Sequence, residues 1–164
     1  MLCREIMKTE VQCIMAEDTI QAAARKMRDA NVGFLPVCDE AWRVLGTLTD
    51  RDLAIRVLAD NRPLSTKAAD VMSREVIACR PDDDVLRAEQ LMGQHHKSRV
   101  LCTEADGRLV GVISLSDIAR REDDRNTAQT VRRVTERRQP TGSGPSNGAV
   151  ESRSDVVAEQ RGSG

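Results

Sequence analysis

The chain has 164 residues, 40% of them hydrophobic and 31% charged, which fits one ordinary domain or two small ones. Aromatic residues make up 1% and the formal net charge is −1, which excludes aromatic stacking platforms for single-stranded nucleic acid and global steering toward DNA or anionic membranes. No apolar stretch approaches the roughly 18 residues that cross a bilayer, and no signal-peptide pattern opens the chain, so we expect a cytoplasmic protein.

The first 122 residues contain an internal repeat. A shift of 65 positions superposes identical residues without a gap, among them Met7 and Met72, Ala23 and Ala88, Gly46 and Gly111, and Asp52 and Asp117. This pattern predicts a tandem duplication, with repeat 1 over residues 1–65 and repeat 2 over 66–122. Residues 123–164 contain no Ile, Leu, Met, Phe or Trp, so we predict a disordered polar tail with at most a helical stub through about Arg138.

Repeat 1 predicts the element order βαββα. A short strand over 11–14 precedes a helix that is capped by Asp18 and broken at 31–33. Two β-rich runs follow, over 34–38 and 44–49. A final helix over 50–59 then closes the unit.

Repeat 2 has the same order. A strand over 76–79 leads to a helix capped by Asp83, and the Asp-Gly pair at 106–107 indicates a hairpin between strands over 100–103 and 109–114. The last helix runs over 115–121. Because a unit of about 55–60 residues buries little apolar surface alone, we expect the two α+β units to pack together.

One phrase, Gly-h-h-[Thr/Ser]-x-x-Asp (h, hydrophobic), lies at 46–52 and again at 111–117, where a strand ends and a helix begins. Its hydroxyl lies beside free backbone N–H groups that attract an anion, and its carboxylate can accept two hydroxyls of a vicinal diol such as ribose. Thr-x-x-Asp and Ser-x-x-Asp are also capping boxes that need no ligand. The repetition of the whole phrase favours a ligand pocket. The side chains concerned are Thr49, Asp52, Ser114 and Asp117.

Three segments and the duplication resemble a CBS-domain pair, or Bateman module, a family named after cystathionine β-synthase. The segments are Val-Gly-Phe-Leu-Pro-Val-Cys-Asp (32–39), Leu-Thr-Asp-Arg-Asp-Leu-Ala (48–54) and Gly-Arg-Leu-Val-Gly-Val-Ile-Ser-Leu-Ser-Asp-Ile-Ala (107–119). The resemblance covers about residues 1–122. It implies two units related by pseudo-two-fold symmetry, two clefts between them, adenine-nucleotide or adenosyl ligands, and a disc-like homodimer.

The resemblance also implies which residues form the clefts. The first would use Thr49 and Asp52 for phosphate and ribose, Gly33, Phe34, Leu35 and Pro36 for the base, and Gln12 and Cys13 on the opposite wall. The second would use Ser114 and Asp117, with Arg99, Val100 and Leu101 on its wall and Ile77 and Ala78 opposite. Two residues depart from the family pattern: Leu101 replaces the proline seen at Pro36, and Lys97 replaces an apolar residue.

Two functions follow from this pattern. The first is a non-catalytic sensor of an adenosine-containing nucleotide (the AMP, ATP, NAD or S-adenosylmethionine class, with AMP or ATP favoured) that signals to a regulated protein through its conformation or dimer geometry. The second is a ligand-free dimeric scaffold with vestigial clefts, redox-tuned through Cys13 and Cys38 on neighbouring strands. Two small buried thiols are the plainer interpretation of that pair.

An enzyme is disfavoured because the chain lacks a recognisable catalytic motif. The phosphate-loop, dinucleotide and H-E-x-x-H patterns do not occur, and His95 and His96 are adjacent, so they cannot share one helix face as metal ligands. We interpret both as polar helix-end residues. Arginines at 132–133 and 137–138 are diluted by acidic neighbours, which favours a solvated tail over nucleic-acid binding.

Overall fold

The structure is a computed structural model that describes residues 1–120 and 131–135. These residues form two three-stranded sheets with helices, which confirms the α+β class. Residues 131–135 are helical, and the rest of the predicted tail lies outside the described residues. Within the described part of the chain, no helix has the length and apolarity needed to span a membrane.

Each sheet joins one short parallel strand to an antiparallel hairpin, and the same arrangement occurs twice. The strands are β1 (Ile14–Met15), β2 (Phe34–Cys38), β3 (Val44–Thr49), β4 (Ala78–Cys79), β5 (Arg99–Thr103) and β6 (Leu109–Ser114). The helices are α1 (Cys3–Ile6), α2 (Ile20–Asp29), α3 (Asp50–Leu53), α4 (Ala68–Val71), α5 (Val85–His95) and α6 (Leu115–Ala119). The predicted Asp-Gly hairpin turn is present, with Gly107 at φ +85°.

The caps of the long helices lie one residue later than predicted. Thr19 caps α2 and Asp84 caps α5, each by accepting a hydrogen bond from a backbone N–H of the first turn. Asp18 and Asp83 instead accept from backbone N–H groups three residues before them, at 3.0 and 2.8 Å. These two acids therefore close the turns that lead into the helices.

The helix predicted over 50–59 changes character after its first turn. α3 continues as a π-helical segment, Ala54–Leu58, closed by a hydrogen bond of 3.1 Å from the Ala59 N–H to the Ala54 carbonyl. Val57 is buried in this segment, whereas Ile55 and Leu58 are 49% and 73% exposed. The segment therefore presents apolar side chains on both of its sides.

The two repeats exchange their opening helices, which the sequence did not predict. Cys3 and Ile6 of α1 are buried in the hydrophobic core of repeat 2. Ala68 and Val71 of α4 are buried in the core of repeat 1. The hydrophobic core of each repeat is therefore completed by residues from the other.

After each opening helix the chain runs back to its own sheet along a crossing segment, residues 8–15 or 73–79. At its start, Lys8 exchanges two backbone hydrogen bonds with Val112, at 2.9 and 3.0 Å, and Ser73 exchanges two with Thr47, at 2.9 and 2.8 Å. β1 and β4 are therefore shorter than predicted, because only the far ends of these segments join their own sheets. The bridge between Arg43 and Arg108, which are one repeat apart, lies on the pseudo-two-fold axis.

Candidate functional site

A cavity of about 540 Å³ opens between the two repeats. Repeat 1 contributes the start of β2, the end of β3 and the start of α3. Repeat 2 contributes its crossing segment, the loop over 96–98 and the start of β5. The side chains that determine its chemistry are Thr49, Arg51, Asp52, Ile77, Lys97, Arg99 and Leu101. A molecule bound in this cavity would contact both repeats.

Asp52 uses one carboxylate oxygen for the helix cap and has the other available at the cavity. Its Oδ2 accepts hydrogen bonds from the backbone N–H (2.9 Å) and the hydroxyl (2.7 Å) of Thr49. Its Oδ1 lies 3.6 Å from Arg56 Nε, and the side chain is 18% exposed. The predicted capping box is therefore present, and it leaves Oδ1 able to accept hydroxyl donors from a ligand.

Asp117 completes the cap of α6 in the same way, but its second oxygen lies within hydrogen-bond distance of a lysine. Oδ2 accepts from the backbone N–H of Ser114 at 2.9 Å and from the Ser114 hydroxyl. Oδ1 lies 3.0 Å from Lys8 Nζ, and the side chain is only 7% exposed. Burial by itself raises the pKa of Asp117, but the hydrogen bonds from Ser114 and Lys8 outweigh it and bring the pKa below its ordinary value.

Exposed cations line the cavity beside Asp52. Arg51 comes from repeat 1, and Lys97 and Arg99 come from repeat 2. The Arg99 guanidinium carbon lies 5.9 Å from the ring centroid of Phe34, so these two side chains meet across the repeat boundary. Arginine and lysine are the residue types that bind phosphate oxygens, so this wall suits an anionic group despite the carboxylates of Asp50 and Glu75, which also line the cavity.

The structure combines residues that the sequence analysis assigned to separate clefts. The cavity is lined by Gly33, Phe34, Thr49 and Asp52 from the predicted first cleft and by Ile77, Arg99 and Leu101 from the predicted second. The reason is the exchange of opening segments, because the crossing segment of repeat 2 starts against β3 before it reaches β4. The opposite wall of the Asp52 cavity is therefore formed by Ile77.

The remaining predicted residues lie outside the lining of this cavity. Leu35, Pro36 and Val100 are buried in β2 and β5, Ala78 is half-buried in β4, Cys13 is buried, and Gln12 is exposed on its crossing segment. Ser114 lies with Arg99 along a more open cavity of about 370 Å³, and Asp117 is held by Lys8. As ligand contacts, these residues stay predictions.

Several residues near the clefts were not anticipated, among them Arg51, Lys8, Ser73 and Glu75. Ser73 and Glu75 line the Asp52 cavity, and Lys8 pairs with Asp117. The 65-residue shift places Lys8 on Ser73, which was the available signal. It pointed to equivalent positions but not to which repeat they face.

All five cysteines are buried free thiols. Cys79 Sγ lies 3.5 Å from Cys102 Sγ, and this hydrogen bond together with burial raises the pKa of Cys79 to about 12. Burial raises the pKa of Cys38 to about 12, with a further contribution from a hydrogen bond with Cys13. Cys13 and Cys38 are thus neighbours, as predicted, but thiols with such raised pKa values are poorly reactive at neutral pH.

The two histidines contact different groups. His95 Nδ1 lies 3.1 Å from Glu75 Oε1, and His96 Nδ1 lies 2.9 Å from the carbonyl oxygen of Arg133. Among the residues that the structure describes, there is no cluster of three or more His, Cys, Asp or Glu side chains that could hold a metal ion.

Comparison with known proteins identifies relatives across the duplicated region. The sequence profile of the CBS domain matches residues 3–59 and 68–124. The CBS domain-containing protein YhcV of Bacillus subtilis is 37% identical over 116 residues, which cover 71% of this chain and 81% of that protein. Hypoxic response protein 1 of Mycobacterium tuberculosis is 31% identical over 131 residues, which cover 80% of this chain and 92% of that protein.

Solved structures show the same arrangement. Hypoxic Response Protein I, crystallised with two coordinated zinc ions, matches with a TM-score of 0.69 and 31% identity over 75% of this chain and 100% of that one. The CBS domain pair of protein MJ0100, in complex with 5′-methylthioadenosine and S-adenosyl-L-methionine, matches with a TM-score of 0.66 and 27% identity over 73% and 94%. From the duplicated sheets and these matches, the chain belongs to the CBS-domain family and carries a pair of CBS domains.

Proposed function

We propose that this CBS-domain pair is a non-catalytic sensor that binds an adenosine-containing nucleotide in the cavity beside Asp52. The observation that carries the proposal is the Oδ1 atom of Asp52, which the helix cap leaves available at a cavity of about 540 Å³. A ribose diol would donate to this carboxylate. The volume lies within the range of small-molecule sites, about 300–1,000 Å³.

The walls of the cavity support an aliphatic base pocket next to a phosphate subsite. Ile77 and Leu101 offer apolar surface, and Arg51, Lys97 and Arg99 supply positive charge. The CBS domain pair of MJ0100 binds two adenosyl compounds, which supports the same ligand class here. Methylthioadenosine has no phosphate for these cations to bind, whereas AMP and ATP do. The cations of the cavity therefore favour AMP or ATP as the ligand of this chain.

Signalling would follow from the position of the cavity. A ligand that contacts Asp52 in repeat 1 and Arg99 in repeat 2 would fix the two repeats relative to each other, and a regulated protein would bind one of the resulting conformations.

The working state that we infer is a homodimer. An apolar groove of about 410 Å³ between α2 and the π-helical segment supports it, with Leu58 and Leu64 exposed at 73% and 53%.

The test is a thermal-shift panel of AMP, ADP, ATP, NAD and S-adenosylmethionine on the wild type and on Asp52→Ala. A ligand at about 100 times its Kd adds roughly 2.7 kcal/mol to the free energy of unfolding, which raises Tm by several degrees for a domain of this size. We expect AMP or ATP to stabilise the wild type and to stabilise Asp52→Ala much less. A shift that is equal in both proteins would place the ligand elsewhere.

A dimeric scaffold without a ligand is the second candidate, and the apolar groove is the observation that favours it. Under this function no member of the panel shifts Tm at millimolar concentration. Leu58→Asp would then separate the dimer without any nucleotide effect, as measured by light scattering.

A further inference from the structure

We propose that Lys8 competes with a nucleotide for Asp117 in the second cleft and that the protein therefore binds one nucleotide per chain, in the cavity beside Asp52. This inference rests on the proposed function and specifies how many ligands the module binds. Its basis is the different treatment of two equivalent carboxylates, Asp52 and Asp117.

Lys8 is held in position by its backbone. It exchanges two hydrogen bonds with Val112 of β6, at 2.9 and 3.0 Å, at the start of the crossing segment. From there its side chain, which is 59% exposed, brings the ammonium group to 3.0 Å from Oδ1 of Asp117. The corresponding Oδ1 of Asp52 has Arg56 Nε at 3.6 Å, beyond hydrogen-bond distance, whereas Oδ1 of Asp117 already has a donor of the same chain within hydrogen-bond distance.

Ser73, the pseudo-symmetric equivalent of Lys8, shows how this position is filled in the Asp52 cavity. Ser73 lies 65 residues after Lys8 and makes the same pair of backbone hydrogen bonds, with Thr47. Its short hydroxyl side chain lines the Asp52 cavity and brings no positive charge to it. The backbones are equivalent, so the side chain at this position is one difference between the Asp52 cavity and the cleft beside Asp117.

A nucleotide in the second cleft would have to displace Lys8. It would replace a charged donor with neutral hydroxyls on a carboxylate that is only 7% exposed. Hydrogen bonds between charged groups are stronger than those with neutral donors. We therefore expect the affinity for a nucleotide beside Asp117 to be about tenfold to a hundredfold weaker than the affinity beside Asp52.

The experiment is isothermal titration of the full chain with AMP and with ATP, comparing the wild type with Lys8→Ser, Lys8→Arg, Ser73→Lys and Ser73→Met. Lys8→Ser gives the cleft beside Asp117 the serine that Ser73 provides in the Asp52 cavity, and Lys8→Arg keeps a cation at position 8. Ser73→Lys introduces a lysine into the Asp52 cavity. Ser73→Met introduces a side chain of similar length to lysine but without its charge. Circular dichroism and thermal unfolding establish that each variant is folded.

We expect one nucleotide per chain for the wild type and Lys8→Arg, and two for Lys8→Ser. Ser73→Lys should weaken binding at least tenfold, and Ser73→Met should weaken it less. Two sites in the wild type, or one site in folded Lys8→Ser with the first site intact, would overturn the inference and leave the proposed function standing. Absence of binding in every folded protein would overturn both.

Discussion

Thr47 and Ser73 exchange two backbone hydrogen bonds, with N···O distances of 2.9 and 2.8 Å, across the boundary between the repeats. Gly46 permits this approach, because a Cβ atom built there would lie 2.5 Å from the Ser73 carbonyl oxygen and 2.8 Å from Met72 Sδ. We expect Gly46→Ala to destabilise the protein by about 1–3 kcal/mol through overpacking. Urea unfolding measures this change.

Gly107→Ala is the matched control for that variant. Gly107 has φ +85° but no neighbour within 4 Å of an added Cβ atom, so its substitution tests backbone strain without a clash. We expect a cost of about 1–2 kcal/mol. A loss at Gly107 that exceeds the loss at Gly46 would contradict the role that we assign to the crossing contact.

Asp52→Asn should weaken nucleotide binding about tenfold to a hundredfold, because hydrogen bonds to a charged acceptor contribute about 1.5–3 kcal/mol. Asp117→Asn removes the equivalent charge from a carboxylate that Lys8 already holds. It should leave the nucleotide Kd within a factor of about two. The corresponding change in binding free energy is well below the 1.4 kcal/mol of a tenfold change in Kd. Titration calorimetry on both variants distinguishes the two carboxylates, and equal losses would contradict the asymmetry.

The cations that line the Asp52 cavity should determine which phosphate chain is bound. Replacing Lys97 and Arg99 together by Gln should weaken ATP binding more than AMP binding, because ATP presents more negative charge to them. The same variant should show a smaller dependence of ATP affinity on salt concentration. An equal effect on both nucleotides would place these side chains outside the phosphate subsite.

The stability of the protein should depend on Asp117 in acid. Its pKa in the folded state is below the ordinary value of 3.8, so the ionised group contributes stability that is fully present above that value. This contribution is lost as the pH falls through the folded pKa. Carbon-13 titration of the carboxyl group should show the lowered pKa in the wild type and a higher one in Lys8→Ser, and an unchanged pKa would show that Lys8 does not hold this carboxylate.

The buried thiols should be inert in the native protein at neutral pH. With pKa values of about 12, Cys38 and Cys79 hold almost no thiolate there. A disulfide-exchange reagent at pH 7.5 should therefore modify them only at the rate of unfolding, and all five cysteines should react in denaturant. Fast modification of native Cys13 or Cys38, reversed by reductant and coupled to nucleotide affinity, would instead support the redox-tuned scaffold.

The sequence was sufficient to predict the duplication and the hairpins, because periodic apolar positions and turn residues are local signals. It also predicted the caps at Thr49 and Ser114, which the structure confirms. The exchange of opening segments could not be predicted in this way. It depends on packing between residues such as Ile6 and the core of repeat 2, and spacing carries no information about which of two equivalent cores a helix enters.

The composition of the clefts was only partly predictable for the same reason. The local phrase contains Thr49 and Asp52, which line the cavity. The opposing wall is a tertiary feature, so Ile77 was expected beside Asp117 and is found with Asp52. Lys8 could not be associated with Asp117 until the crossing segment was seen to begin on β6.

The exchanged opening helices also constrain how such a chain could have arisen. A polypeptide with one repeat alone would leave the core of that repeat without Ala68 and Val71, or without Cys3 and Ile6, and would expose apolar surface in their place. Two copies of a single-repeat ancestor could complete each other by swapping these helices. Gene duplication and fusion would then have joined an obligate pair, after which the two halves were free to diverge at positions such as Lys8 and Ser73.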